Sequence, residues 1–352
     1  MVATASGSGA AQRPLPERLD AYLRGRPDGP FMGVVLIARG PTILFERGYG
    51  PADADLGIAV EPSMRFGIGS LTKPMTATAV MRLVERGLMR LSDPIGDYLR
   101  VCPPAWRSAT IRDLLSHTSG IPDLFGEMRA APVDSTRGVI DGVASRHLGD
   151  SLLAVPGSKY AYSNFNYCLL GYAMEAAAHA SWPELMAREV FAPAGMTRTA
   201  YDDVWQIMPG RVRGYRRAEH QLRHIAYHDH AAYAAGGLLS TARDLLAFDR
   251  AFSSGRLVAD STMRRMTTPG PGDYGLGWQM ITVLGRHQRN HSGGTGGFAS
   301  HLVHYDDGTT IIVLSNDEEE SAKSTACDLA AIVFGLAPSR RDRGENPCRP
   351  DP

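Results

Sequence analysis

Strand-forming segments stand near both ends of this chain, and helix-forming segments fill the stretch between them. Near the start, FMGVVLIARG and PTILFERGYG are short β-rich runs joined at Gly40 and Pro41, which predicts an antiparallel hairpin. A helix is predicted around PERLDAYLRG, just before the hairpin. Near the end, the pattern predicts three strands and a closing helix, in the segments YGLGWQMITVLG, GGFASHLVHYDDG, TTIIVLSND and SAKSTACDLAAIVFGL. Strands this far apart in sequence are expected to meet in one sheet.

The middle of the chain has apolar residues at helical spacing. The segment MTATAVMRLVERGLM predicts a helix that ends at Gly87, and TIRDLLSHTSG predicts one that ends at Gly120. NYCLLGYAMEAAAHA is a further predicted helix. The whole pattern predicts an α+β fold, in which an antiparallel sheet built from both chain ends is flanked by terminal helices and a mostly helical region is inserted.

These patterns also predict the domain organisation. Residues 1–16 and 338–352 are predicted to be disordered, because they are rich in small, polar, charged and proline residues. One domain is predicted over residues 17–337, with an α/β part at about 17–69 and 231–337 and a helical part at about 70–230.

Charge and apolar content exclude several function classes. The 37 acidic and 37 basic residues balance, which argues against nucleic acid or an anionic membrane as the main partner. No apolar run reaches the roughly 18 residues that a membrane span needs, and the first residues lack a signal-peptide pattern. The four cysteines form no metal-type pair. We therefore expect a cytoplasmic protein; the sequence does not fix its oligomeric state.

Lys73 is unusual because, among 37 lysine and arginine residues, the others that are lysine are Lys159 and Lys323. A buried lysine can lose its proton, whereas arginine cannot. Ser70 lies three residues earlier, so both side chains share one face of the predicted helix, and Pro74 fits the first helical turn. Serine is a weak nucleophile that needs a base within hydrogen-bond reach. Neutral Lys73 could be that base if burial lowers its pKa; the alternative is an ordinary helix surface.

Two further motifs follow in order. PGSKYAYSNFNY contains Tyr162 and Asn164 just before a predicted helix, and NHSGGTGGFASH contains His291 before a glycine-rich run that enters a strand. Together with S-x-x-K, they resemble the serine β-lactamase and penicillin-binding protein superfamily, in its class C-like branch with esterases, D-amino-acid peptidases and acyl transferases. The resemblance extends from about Phe31 to Leu336 and includes TIRDLLSHTSGIP, FAPAGMTRT and YGLGW.

The resemblance implies roles for the matching residues. Ser70 would form an acyl-enzyme, and Lys73 and Tyr162 would share the proton transfers. The phenol of Tyr162 would then need a lowered pKa, which a nearby cation can provide. Asn164 would hold Lys73 or the substrate amide. The backbone N–H groups of Ser70 and Gly294 would form the oxyanion hole.

The third motif departs from the pattern of β-lactamases and cell-wall peptidases, which usually have Lys-Thr-Gly there. Here His291 precedes Ser292 and Gly293, and histidine is largely neutral at pH 7. A permanent charge for a substrate carboxylate is therefore missing. The resemblance then implies a cofactor-free and metal-free esterase, amidase or acyl transferase, with a small-molecule acyl donor and water, an alcohol or an amine as acceptor. A transacylase of natural-product biosynthesis is one such enzyme.

Several alternatives stay open at this point. Tyr162 could be a packed aromatic residue, Asn164 a helix N-cap and His291 a structural strand residue. His117 is expected to stabilise the end of its helix. Three aromatic residues near the third motif either line the acyl pocket or pack in the core: Tyr274, Trp278 and Phe298.

Other functions also stay open. The chain could be a non-catalytic binding or sensor module that retains the fold, or a β-lactamase or D-peptidase. A metal-dependent hydrolase would instead use a cluster of histidine and aspartate residues, namely His224, His228, Asp229 and His230.

Overall fold

The structure is a computed structural model that describes residues 13–26, 29–131, 136–203, 206–218, 221–225 and 232–338. Most of the two terminal segments predicted to be disordered lies outside the described residues. The first helix nevertheless begins at Leu15, inside the segment predicted to be disordered.

The helices and strands follow each other as the sequence pattern predicts, with short elements added between them. The helices are α1 (Leu15–Arg24), α2 (Thr72–Glu85), α3 (Ile111–Leu115), α4 (Phe125–Ala130), α5 (Thr136–Arg146), α6 (Asn164–Ala178), α7 (Trp182–Met186), α8 (Ala192–Ala194), α9 (Tyr233–Gly236), α10 (Ala242–Ser253), α11 (Asp260–Met266) and α12 (Ala322–Val333). The strands are β1 (Gly33–Arg39), β2 (Thr42–Tyr49), β3 (Pro51–Asp53), β4 (Ile58–Ala59), β5 (Phe66–Gly67), β6 (Ala200–Tyr201), β7 (Tyr215–Ala218), β8 (Gln221–His224), β9 (Leu238–Ser240), β10 (Gln279–Val283), β11 (Arg286–Thr295), β12 (Phe298–Tyr305) and β13 (Thr309–Ser315).

The main sheet has six strands in the order β10-β11-β12-β13-β1-β2, and each neighbouring pair is antiparallel. The hairpin β1–β2 comes from the start of the chain, and the other four strands come from its end. They join where β1 pairs with β13, with Val34 opposite Leu314. The predicted α+β fold, with one antiparallel sheet assembled from both chain ends, is confirmed.

The sheet is covered on both faces. Successive residues of a strand point to opposite faces, so Val35 and Ile37 pack with the terminal helices α1 and α12, around Leu19 and Leu329. The neighbouring residues of β1, including Leu36, pack instead with the inserted helical region. Burial on both faces explains why β1 reads as a continuous apolar run rather than an alternating one.

One predicted helix boundary is wrong. Helix α3 ends at Leu115, five residues before Gly120, because the chain leaves the helix and enters a left-handed turn at His117. The glycine-rich run enters a strand as predicted, since Gly296 and Gly297 lead into β12 at Phe298, while His291 to Gly294 lie on the last part of β11. A Cβ atom on Gly293 would stand 2.0 Å from the Ile68 carbonyl oxygen, so glycine permits the close approach of this strand to the segment before Ser70.

The possibility of a membrane span can be checked on the helices that the structure describes. Each of them falls short of the length and apolar character that a bilayer crossing requires.

Helices α6 and α9 cross at a glycine. A Cβ atom on Gly171 of α6 would lie 2.4 Å from Cε1 of Tyr233 and 2.7 Å from Cβ of Ala234. Both neighbours belong to α9. A larger residue at this position would force the two helices apart.

We expect Gly171→Ala to lower the free energy of unfolding by about 2 kcal/mol, because the added methyl group overpacks this crossing. Gly142 is a matched control, since it also lies inside a helix but has no atom within 4 Å of a built Cβ. There, Gly142→Ala should raise the stability by about 0.5 kcal/mol through the better helix propensity of alanine. Chemical denaturation of both variants measures the difference, and equal effects would contradict the packing argument.

Candidate active site

Ser70 lies on a short 3₁₀ turn, Gly69–Leu71, that leads directly into α2. Gly69 has a φ of 49°, and a Cβ atom there would stand 2.7 Å from the backbone nitrogen of Gly294. The turn therefore sits directly against β11, and only glycine fits between them. Ser70 is exposed to two cavities that meet at this point.

Lys73 lies one helical turn after Ser70 and is completely buried, with 0% of its surface exposed. Its Nζ is 2.8 Å from each of three oxygen atoms: Oγ of Ser70, Oδ1 of Asn164 and the carbonyl oxygen of Ala235. The three oxygen atoms come from the turn before α2, from α6 and from α9. The amine is therefore fixed by three separate elements.

Burial lowers the pKa of Lys73 to about 7, against weaker opposing effects of Cys168 and Asp123. A neutral amine has two N–H donors and one lone pair. Since the amide oxygen of Asn164 and the carbonyl of Ala235 can only accept, they take the two donors. The lone pair then faces the Ser70 hydroxyl and can accept its proton. This geometry suits a general base for Ser70 at neutral pH.

Tyr162 forms a side-chain hydrogen bond with Ser70, and Nζ of Lys73 is 4.9 Å from the centroid of its ring. The expected lowering of the Tyr162 pKa is wrong. Burial raises the pKa of the phenol above its ordinary value, and the hydrogen bond with Ser70 only partly opposes this. The residue is 39% exposed to the pocket, so water limits the rise but does not reverse its direction. Tyr162 is therefore a phenol at neutral pH, able to donate a proton rather than take one.

Asn164 is the first residue of α6, and its side chain holds Lys73. The N-cap is instead Ser163, whose Oγ accepts a hydrogen bond from the backbone N–H of Asn166 at 3.2 Å. The interpretation of Asn164 as a helix N-cap is wrong. Its place directly after the cap aims the amide into the site.

His291 lies on β11 and is 5% exposed. Its Nδ1 is 2.6 Å from the carbonyl oxygen of Ser292. Because a carbonyl can only accept, Nδ1 carries the proton and Nε2 accepts from the Tyr274 hydroxyl at 2.9 Å. Burial, with a smaller contribution from Lys73, lowers the pKa of His291 to about 3. The third motif thus presents a neutral imidazole.

The main cavity has a volume of about 460 Å³ and is lined by Ser70, Tyr162, His291, Gly293 and Gly294 among others. It brings together all the predicted site residues except Lys73 and Asn164, which lie behind and beside Ser70. Asn164 lines the adjoining cavity of about 200 Å³.

Several groups in or near this site were left undecided by the sequence or were not predicted from it. Tyr274 and Phe298 line the main cavity, whereas Trp278 is buried in the core. Tyr160 also lines the cavity and was not predicted. The Ala235 acceptor was missed as well, because a backbone carbonyl leaves no signature in a sequence.

The proposed metal cluster lies largely outside the described residues, which exclude His228, Asp229 and His230. His224 is exposed on β8. Among the residues that the structure describes, no group of three or more histidine, cysteine or acidic residues is arranged to hold a metal ion.

Comparisons with known proteins identify the family to which this chain is similar. A family model described as Beta-lactamase matches residues 19–333. The chain is 29% identical to Penicillin-binding protein 4* of Bacillus subtilis, over 87% of this chain and 73% of that protein. It is 26% identical to a D-aminopeptidase of Gluconobacter oxydans, over 91% of this chain and 62% of that protein. The solved structure of a D-amino acid amidase from Ochrobactrum anthropi has a TM-score of 0.78 and 21% identity, over 91% of this chain and 99% of that chain.

We expect Lys73→Arg to reduce the acylation rate by about 1,000-fold, because a guanidinium cannot accept the Ser70 proton. Lys159→Arg is the matched control, since Lys159 is exposed; it should acylate like the wild type. Stopped-flow release of p-nitrophenol from an activated ester measures both. Near-normal acylation by Lys73→Arg would contradict a base role for this lysine.

The acylation rate should also increase with pH near neutrality. Because Lys73 must be neutral to act and burial lowers its pKa to about 7, the rate should rise as pH increases through 7. A pH–rate profile of kcat/KM, taken after subtracting the rate of Ser70→Ala, measures this titration. A profile that is flat or falls across neutral pH would be the contrary result.

Proposed function

Because the chain belongs to the beta-lactamase family, we propose that it cleaves an ester or amide bond of a small molecule through a covalent acyl-enzyme on Ser70. The observation that carries this proposal is the pairing of Ser70 with a buried Lys73 whose pKa is near neutral. A lysine kept only for structure would gain nothing from burial without a counter-charge. We propose a catalytic protein rather than a sensor because nucleophile, base and phenol are all in contact.

The proposed reaction proceeds in two steps. First, the Ser70 oxygen bonds to the acyl carbon while its proton passes to Lys73. The backbone N–H groups of Ser70 and Gly294 stabilise the oxyanion. The bond to the leaving group then breaks as Tyr162 gives that group a proton, and Tyr162 regains a proton from the Lys73 ammonium. In the second step, water or another acceptor attacks the acyl-enzyme while its proton passes to Lys73, which is neutral again. The Lys73 ammonium then gives that proton to the departing Ser70 oxygen.

We propose that the leaving group carries no carboxylate. Among the residues that the structure describes, the side chains lining the main cavity include the neutral His291 and two carboxylates, Glu318 and Glu320, but no lysine or arginine. Both carboxylates have arginine partners, Arg216 and Arg26, so the lining is near neutral rather than positive. A carboxylate there would lose its hydration without gaining a cation. A neutral or amine-bearing group avoids that loss.

We propose hydrolysis as the default outcome and transfer to an alcohol or amine as a second one. Water, alcohol and amine attack the same acyl carbon, so one intermediate serves both. A neutral site tolerates an uncharged acceptor as well as it tolerates an uncharged leaving group. A role in small-molecule biosynthesis would follow if an acceptor other than water proves to be preferred.

We expect brief exposure to p-nitrophenyl esters of increasing chain length to leave a single acyl adduct on the wild-type protein, visible by intact mass, and none on Ser70→Ala. The chain length that acylates the protein most readily indicates the size of the acyl pocket. Adding alcohols or amines should then divert part of the acyl group from water. Product from water alone would exclude the transfer reaction.

The same experiment separates the alternatives. An adduct that never turns over would favour a binding or sensor module. Faster acylation by benzylpenicillin or by a D-Ala-D-Ala peptide than by any ester would favour a β-lactamase or D-peptidase. The absence of any adduct would contradict the proposed function.

A further inference from the structure

His117 closes the end of α3 as expected, but through its backbone: its N–H donates to the Leu114 carbonyl at 3.3 Å, and the next N–H, of Thr118, donates to the Asp113 carbonyl at 2.8 Å. His117 follows α3 by two residues, in a left-handed conformation with a φ of 57°. Glycine is the usual residue in this conformation at a helix end, so the helix end alone does not account for a histidine side chain here. The side chain is 0% exposed and belongs to no part of the reaction described above.

His117 holds the backbone on both sides of Tyr162. Its carbonyl oxygen accepts a hydrogen bond from the N–H of Ala161 at 2.9 Å. Its Nδ1 accepts one from the N–H of Ser163 at 3.1 Å. These are the residues immediately before and after Tyr162, so one residue fixes the peptide groups that flank the phenol.

The imidazole also packs against the phenol ring. The ring centroids of His117 and Tyr162 are 4.3 Å apart with an angle of 35° between the planes. Burial lowers the pKa of His117 well below its ordinary value, and Nδ1 is an acceptor, so the ring is neutral with its proton on Nε2. It supports Tyr162 without placing a second positive charge beside Lys73.

The segment around His117 also forms backbone hydrogen bonds with the earlier part of the loop that leads to Tyr162. The N–H of Leu153 donates to the carbonyl of Gly120 at 2.7 Å, and the N–H of Gly157 donates to that of Thr118 at 2.8 Å. These contacts join backbone groups only. The bond from Ser163 to Nδ1 differs because it depends on the identity of residue 117.

We propose that His117 is a positioning residue that fixes the Tyr162 phenol beside Ser70 for proton transfer to the leaving group. The inference rests on the proposed function. It has a specific consequence, because p-nitrophenolate leaves without a proton whereas an aniline nitrogen must receive one. Misplacing the phenol should therefore slow the cleavage of an anilide far more than that of a p-nitrophenyl ester with the same acyl group.

The test compares three variants of residue 117 on these two substrates. His117→Leu keeps the apolar volume but lacks the acceptor, and His117→Gly relieves the left-handed backbone but leaves a cavity. The Leu variant keeps the unfavourable backbone conformation, whereas the Gly variant loses packing, so the two variants are destabilised for different reasons. Either variant that folds tests the proposal. His117→Asn is the conservative variant, because its Oδ1 stands where Nδ1 stands and asparagine tolerates a positive φ.

We expect the ratio of anilide to ester cleavage to fall at least about 10-fold in the Leu and Gly variants and to stay within about 3-fold of the wild type in the Asn variant. In a Tyr162→Phe background, which lacks the hydroxyl, the same changes should not lower the ratio further. An equal loss on both substrates, or a loss that persists in the Tyr162→Phe background, would overturn the positioning role. Failure of the wild type to form an acyl adduct would instead overturn the proposed function.

Discussion

The removal of the Lys73 amine from water is the constraint on which the site depends. A buried ammonium is costly unless polar groups surround it, and here Ser70, Asn164 and the Ala235 carbonyl do so at 2.8 Å each. Those groups come from elements far apart in sequence, so the base forms only when α2, α6 and α9 are packed together. The close α6–α9 contact at Gly171 is therefore part of the chemistry as well as of the core.

Burial favours the neutral form of four ionisable groups near Lys73. It lowers the pKa of His117 and of His291, and it raises that of Tyr162 and of Tyr274. Each of these groups is consequently held in its neutral form at neutral pH. Lys73 is left as the group that titrates there, which gives the site one proton acceptor, Lys73, and one donor, Tyr162. Two functions that the sequence alone assigned jointly to Lys73 and Tyr162 are thus separated by the environment.

The features that could be predicted from the sequence are those that depend on residues close together in the chain. Spacing alone brings Ser70 and Lys73 together, since three residues make nearly one helical turn, and the periodicities locate the sheet and the helical insertion. Tyr162 and Asn164 were found only through motif resemblance, because their distance from Lys73 depends on the whole fold. The Ala235 carbonyl and the direction of the Tyr162 pKa were not predictable. The first has no side-chain signal, and the second depends on how completely the site excludes water.

Burial of Lys73, which makes it a base at neutral pH, also lowers the stability of the folded protein. The pKa of Lys73 falls from 10.5 to about 7 in the native protein, so the unfolded chain binds more protons than the native one between these values. Stability must therefore rise with pH across that window, and below it the full penalty applies, on the order of 5 kcal/mol for this shift. An uncharged residue at this position would avoid this cost. Selection for stability alone would not retain a lysine at this position, whereas selection for a base that is half-deprotonated at neutral pH would.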